Sequence, residues 1–337
     1  MTSTRLRRNA GWLLVGLSLA LHLFTVFAYS RQPDRLAAFT VMPVWVWGGC
    51  GLALSIAAFW FLRASLSLVV TGVWALTVLL AADEARALTR LGSAPPKMGA
   101  PPLVNGSRPL RIVTLNCSYF DYDKGFNPID DIAKWDPDIV LLQEVHTYQV
   151  KKICEQLYGP SGDSRCHQNS NGVATRWKIT REVRNLLYRD QQLTVQTPDG
   201  IDIEILNIHL ATAATDLRFW RSSCWATHLQ NRLGRRTEMA AALGLLRSEG
   251  GGRPSIVGGD FNAPPGDPIQ RMVLRDHQDA FAAVGSGWGN TFQRRIPIHR
   301  IDRINVSREF TPLHCAAFTT RFSDHRMVIA DFLLNPP

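Results

Sequence analysis

The stretch Ser255-Ile256-Val257-Gly258-Gly259-Asp260-Phe261-Asn262 is a short apolar run that ends abruptly in an acid and an amide. A few β-branched and apolar residues bounded by glycine read as a buried strand. A plain core strand has no need of Asp260 or Asn262 at its end, whereas active sites gather at strand ends and on the loops they support. The same shape recurs. Ile112-Val113-Thr114-Leu115 runs into Asn116, Ile139-Val140-Leu141-Leu142 into Gln143-Glu144, and the apolar run from Ile203 to Ile208 into His209. Arg300-Ile301-Asp302 and Ser323-Asp324-His325 complete the set. Singly, each has a plain structural use: a turn cap for Asn116, a helix cap for Glu144 or Asp260, a satisfied core histidine for His209. Six such endings are read more economically as one site.

Working outward, strand-like runs at 111–116, 138–143, 201–209, 255–258 and 327–333 are interspersed with helical stretches at 146–157 and 233–247. Asp199-Gly200 marks a hairpin turn between Leu193-Thr194-Val195 and the run that starts at Ile201. This irregular mix predicts an α/β (α+β) domain over residues 110–337, with packed sheets and helices outside. Residues 92–109 carry five prolines and three glycines, which stop a helix and predict an extended, semi-rigid linker.

Upstream, three uncharged stretches cover residues 9–30, 36–62 and 64–82. Each has the roughly 20 residues that an α-helix needs to cross a bilayer, so residues 1–91 read as a multi-pass membrane anchor turning at Arg63-Ala64. A cleaved signal peptide fits less well, because the first apolar region is long and no small-residue cleavage site follows. Arg5, Arg7 and Arg8 favour a cytoplasmic N-terminus. Three crossings would then place the domain after residue 83 on the outer side, periplasmic or extracellular.

Charge is also uneven. Residues 1–94 hold eight Arg against three acids, and residues 95–337 hold 29 basic against 25 acidic residues. The soluble part is thus only mildly basic, without the strong footprint usual in nucleic-acid enzymes. No C-x-x-C or H-E-x-x-H occurs among the residues, which argues against zinc. Cys154 and Cys166 are the nearest pair in sequence, compatible with a disulfide if the domain lies outside the cytosol. Carboxylates with an amide oxygen instead suit a hard cation, Mg²⁺ or Mn²⁺. Two histidines with Asp260 and Asp302 can supply an acid–base pair and its orienting partners. Together these would neutralise charge on a phosphoryl group attacked by water.

In order, Leu115-Asn116, Leu142-Gln143-Glu144, Asn207-Ile208-His209-Leu210, Gly259-Asp260-Phe261-Asn262, Arg300-Ile301-Asp302 and Ser323-Asp324-His325 resemble the motifs of the endonuclease/exonuclease/phosphatase superfamily, the deoxyribonuclease I-like proteins. The resemblance covers about residues 108–335 and implies a four-layered α/β sandwich of two mixed sheets flanked by helices. It implies that Glu144 is the main metal ligand, with Asn116 beside it and Asp324 as a further contact. Asp260 would orient or deprotonate the attacking water, and Asn262 would hold the phosphate. His209 and His325 would contact the phosphate, with Asp302 orienting His325.

The implied activity is a membrane-anchored, divalent-metal-dependent hydrolysis of phosphate esters, of phosphodiesterase or nuclease type. Its substrate would be nucleic acid or a phospholipid headgroup, and no protein partner is expected. Arg218 and Trp220, close behind His209, are candidate substrate contacts that would stack bases or sit at a headgroup surface. The rival readings are a sphingomyelinase-like lipid phosphodiesterase and a catalytically silent membrane-bound interaction domain; retention of every matched position weighs against the second. Two departures stand out. Gly172-Val173-Ala174-Thr175-Arg176-Trp177 lacks the Ser usual there, which puts that strand in doubt, and Arg303 replaces a frequent aromatic residue.

Overall fold

The computed structural model describes residues 2–89, 92–104, 106–120, 125, 127–183, 190–213 and 216–335. The chain divides into two compact units, Met1–Thr89 with Ala214–Arg232, and Arg90–Ala213 with Leu233–Pro337.

In the first unit, apolar sequence forms the helices Thr2–Arg31, Val44–Leu62 and Ser65–Ala81. They meet through small residues. A Cβ on Gly51 would lie 1.9 Å from the Trp74 ring, so only glycine lets that indole lie flat against the helix. Ser18 Oγ donates to Gly51 O at 2.9 Å and accepts from Trp74 Nε1 at 3.1 Å. The outer faces are apolar too: Leu13, Leu23, Trp60, Val69 and Leu80 are all exposed.

The expectation of three crossings is corrected. Among the described residues, two helices, Thr4–Arg31 and Val44–Leu62, are long and apolar enough to cross a membrane. The third, Ser65–Ala81, has 17 residues, about 25 Å at 1.5 Å per residue, against a hydrocarbon core of about 30 Å. The second predicted stretch is also broken. Residues Ala37–Thr40 form one short helical turn, and Pro43 is extended (ψ 145°) before the long helix begins at Val44. Proline lacks the N–H that a continuous helix would need there. The expected turn at Arg63-Ala64 is present, with Arg63 left-handed at φ 53°.

The second unit holds twelve described strands: β1 (Leu110–Asn116), β2 (Ile139–Gln143), β3 (Asp163–His167), β4 (Asn171–Thr175), β5 (Lys178–Val183), β6 (Gln191–Gln196), β7 (Asp202–His209), β8 (Ser255–Asp260), β9 (His277–Asp279), β10 (Asp302–Ser307), β11 (Phe310–Thr319) and β12 (Arg326–Leu334). One sheet runs β11-β12-β1-β2-β4-β3, the other β5-β6-β7-β8-β10-β9. Both are mixed, with β1–β2 and β7–β8 parallel and their other pairs antiparallel. This is an α/β sandwich: the sheets face each other, and helices flank them. Val150 and Ile153 of the helix Thr147–Tyr158 join the core of the first sheet, and Met239 and Leu243 of Ser222–Gly250 join that of the second. The doubted segment pairs regularly, with β4 in register against both β2 and β3. The Asp199-Gly200 turn also forms, with Gly200 at φ 79°.

Residues 97–99 are strapped onto this unit rather than standing free. Arg111, fully buried on β1, donates through Nη1 to Lys97 O, Gly99 O and Trp135 O at 2.6–2.7 Å. Its Nε and Nη2 fork onto Asp331 of β12 at 2.6 and 2.9 Å. All six cysteines are free thiols, so the Cys154–Cys166 pair is not bridged.

A second buried ion cluster joins Asp279 to Arg300 and Arg303, each at 2.7 Å. Burial alone would raise the Asp279 carboxyl; Arg300 and then Arg303 more than offset it and hold the pKa at about 2. A depressed folded-state pKa contributes stability that is present above pH 4 and lost as pH falls towards 2, here about 2 kcal/mol. Asp279→Asn should therefore flatten that acid limb in melts recorded from pH 5 to pH 2.

Candidate active site

β8 places Asp260 at the centre. Its register sets His209 on β7 opposite Asp260 on one side and Asp302 on β10 opposite it on the other. Gly259 makes this approach possible: its φ is 127°, and a Cβ there would lie 2.1 Å from Ile208 O. Facing it across the sandwich, β1 ends at Asn116 and β2 at Gln143, paired in register, with Glu144 next in a left-handed conformation at φ 49°. Ser323-Asp324-His325 immediately precedes β12, the neighbour of β1.

These ends are bonded into one cluster. Asp260 Oδ2 accepts from Asn116 Nδ2 at 3.0 Å and from Asn262 Nδ2 at 3.2 Å, while Oδ1 accepts from the Asn262 N–H at 2.8 Å. His325 Nδ1 bonds Asp302 Oδ2 at 2.8 Å, and its Nε2 lies 4.0 Å from Asp260 Oδ2. His209 Nε2 is 3.5 Å from Glu144 Oε1. Asp324 accepts from Ser118 Oγ, and Ser323 Oγ ties His325 N–H to Asn116 O. The structure thus gathers Asn116, Glu144, His209, Asp260, Asn262, Asp302, Asp324 and His325.

Two predicted substrate residues are not in this set. Arg218 and Trp220 belong to the first unit; Arg218 forks onto Asp216 at 2.8 and 2.9 Å, and Trp220 is 80% exposed.

The electrostatics of the cluster have identifiable causes. Burial pushes the Glu144 carboxyl up; its hydrogen bond with Asn116 opposes this, and the charges of Asp260 and Asp324 reinforce it. Burial, then the charge of Asp302, pushes Asp260 up. Burial would lower His325, but Asp302, by charge and hydrogen bond, and then Asp260 and Asp324 overcome it and raise the pKa to about 10. His325 is therefore an imidazolium held between carboxylates.

Ligand atoms of Asp260, Asp302 and His325 all lie within 4.8 Å of one another, a spacing that a cation can bridge. Two of the three, Asp302 and His325, are already joined to each other through the Nδ1–Oδ2 bond. Glu144, with His209 Nε2 at 3.5 Å, and Asp324 add further carboxylates at the site, and their hard oxygens suit Mg²⁺ or Mn²⁺. Asn116 is placed differently from the expectation. Its Oδ1 accepts from the Ser118 N–H at 2.9 Å, and its Nδ2 faces Asp260, so its amide holds carboxylates in place.

Sequence reasoning missed the supporting residues. Thr291 Oγ1 accepts from the N–H groups of Ile301 and Asp302 at 3.2 and 3.1 Å, fixing the backbone at Asp302. Thr212 Oγ1 donates to Asn262 Oδ1 at 2.9 Å. Gln143 Nε2 donates to Asn207 Oδ1 at 2.7 Å, joining the two sheets beneath the site. Of these, only Gln143 and Asn207 carried a signal, as polar residues inside apolar strands.

Fold and site together define an α/β-sandwich protein with carboxylates, amides and imidazoles gathered at the strand ends of both sheets. The chain belongs to the endonuclease/exonuclease/phosphatase family, whose pattern matches residues 114–325. Members are typically phosphoesterases or nucleases and generally depend on a divalent metal. No curated protein matches the chain. Among solved structures, the family protein of Bacteroides vulgatus is 17% identical, with a TM-score of 0.55, over 68% of this chain and 100% of that one. A Bacteroides thetaiotaomicron family protein is 16% identical, with a TM-score of 0.54 over 68% and 100%. Truncated TDP2 of Caenorhabditis elegans is 18% identical, with a TM-score of 0.50 over 67% and 97%. At these identities the likeness concerns the fold.

Proposed function

We propose that the protein is a membrane-anchored, divalent-metal-dependent phosphodiesterase or nuclease-like phosphoesterase. The observation that carries this is the convergence of Asp260, His325, His209 and Glu144 from both sheets onto one cluster. Asp260 is fixed by Asn116 and Asn262 and is placed to orient a water molecule and accept its proton. The imidazolium of His325, held by Asp302, presents Nε2 to the developing charge on the phosphoryl oxygens. His209 and Asn262 flank the same space and would hold the phosphate. Mg²⁺ or Mn²⁺ held by Glu144 and Asp324, with Asn116 beside them, would supply charge neutralisation at phosphorus.

The test is direct. Hydrolysis of bis(4-nitrophenyl) phosphate by the full-length protein should stop in EDTA and return with Mg²⁺ or Mn²⁺; undiminished turnover in EDTA would refute the metal assignment.

The outward apolar faces of Thr4–Arg31 and Val44–Leu62 support membrane anchoring, and they are also what favours a second reading, hydrolysis of a phospholipid headgroup ester. The protein should remain in the membrane pellet through a sodium carbonate wash, and release by carbonate would count against the anchor. The side of the catalytic unit follows from parity. Two crossings return the chain to the side of the N-terminal arginines, and only a further crossing puts it opposite; reporters fused after Pro337 read the difference.

A further inference from the structure

Two segments leave the catalytic strand ends side by side and carry aromatic residues that the chemistry above does not use. Ser118-Tyr119 follows Asn116 at the end of β1, and His146-Thr147-Tyr148 follows Glu144 at the end of β2. Because β1 and β2 are adjacent and parallel, both segments emerge at the same edge of the site. They are fastened to each other: the Tyr119 N–H donates to Glu144 O at 2.9 Å. Buried Gln149 bridges them again, accepting from the His146 N–H at 2.8 Å and donating to Phe120 O at 2.6 Å. Ser118 Oγ reaches Asp324, so Tyr119 is one residue from a group that touches the cluster.

The rings form a row. Tyr119 and His146 have centroids 5.3 Å apart at an interplanar angle of 40°, and His146 and Tyr148 are 6.0 Å apart at 11°. Tyr119 is 42% exposed and Tyr148 62%. Burying these rings in the core would have been favourable, so their exposure beside a polar cluster calls for a use. The ring geometry decides which. A cage for a quaternary ammonium needs ring faces set around a common point, whereas His146 and Tyr148 are stacked at 11° with Tyr119 tilted by 40° beside them, a short stack that a further flat ring can extend.

We infer that Tyr119, His146 and Tyr148 form a stacking subsite for a planar aromatic ring, such as a nucleobase, carried by the substrate beside its reacting phosphate. This rests on the phosphoesterase reading and deepens it by naming the substrate class.

The test uses full-length protein in nanodiscs with Mg²⁺ and three phosphates that differ in what they carry: AMP, ribose 5-phosphate and phosphocholine. Each is scored as an inhibitor of bis(4-nitrophenyl) phosphate hydrolysis and, independently, by calorimetric binding. AMP should bind at least about fivefold more tightly than ribose 5-phosphate, the lower end of what stacking one base contributes. Tyr119→Ala and Tyr148→Ala should close that gap without altering the affinity for ribose 5-phosphate, and Tyr148→Phe should preserve it. Equal binding of AMP and ribose 5-phosphate would overturn the subsite, as would a gap that survives both alanine variants. Tightest binding by phosphocholine, lost on Tyr119→Ala or Tyr148→Ala, would replace it with a cation site. Absence of turnover on every phosphoester would remove the phosphoesterase reading instead, while calorimetry still decides whether the aromatic row binds a ring.

Discussion

His325→Ala should lower kcat by at least about 10²-fold, the usual scale for losing a positioned acid–base or electrostatic group. His325 is buried, bonded to Asp302 at 2.8 Å and 4.0 Å from Asp260, and its pKa of about 10 keeps it charged at neutral pH. Glu144→Gln should lose a similar factor, and its loss should be accompanied by weaker activation by Mg²⁺. Glu144→Gln is nearly isosteric and should leave the melting temperature close to that of the parent, whereas His325→Ala strips the buried Asp302 of its partner and should lower it. A folded His325→Ala protein with near-parental turnover would show that the chemistry happens elsewhere.

The largest expected effect on stability lies at Arg111. Arg111→Met keeps an unbranched apolar stem but removes all five donors, leaving Asp331 buried with, among the described residues, the distant His314 Nδ1 at 3.4 Å. Breaking one side of a buried pair costs about 3–5 kcal/mol, because a charge is left without its partner. Three carbonyls, of Lys97, Gly99 and Trp135, lose a donor as well. The double change Arg111→Met with Asp331→Leu should recover much of the loss, since two apolar residues can replace a buried pair. Arg111→Lys should not, because an ammonium cannot match the fork geometry. Denaturant melts of the parent, the two single variants and the double variant give the comparison, and an unchanged midpoint for Arg111→Met would refute this account.

Much of the fold was legible because its interior strands are locally marked. β1, β2, β7, β8 and β12 are mainly apolar runs with isolated polar residues, since both faces of each are covered, and a strand of this kind announces itself whatever surrounds it. The strands that were not anticipated are mostly at sheet edges. β3 (Asp163-Ser164-Arg165-Cys166-His167) and β5 (Lys178–Val183) are half exposed, so they carry charges rather than apolar runs. β10 was hidden for another reason. It is fully buried yet polar, and the side chains of Asp302, Arg303 and Asn305 are tolerated because His325, Asp279 and Val257 O meet them.

The N-terminal helices show the limit of counting. Apolar length marked all three, but Pro43 and the 17-residue span of the third depend on where backbone hydrogen bonding starts and stops, which composition does not report.

The sequence by itself determined which residues end the central strands, because a polar residue after an apolar run is a local fact. It therefore marked the members of the polar cluster that the strand ends bring together, from Asn116 to His325. Only the tertiary structure decided what each member does to the others. The charge on His325, the donor role of the Asn116 amide, the support from Thr291 and the row of Tyr119, His146 and Tyr148 all arise between segments far apart in the chain. Such properties follow from distances of a few ångströms in a low-dielectric interior, and no reading of one segment at a time contains them.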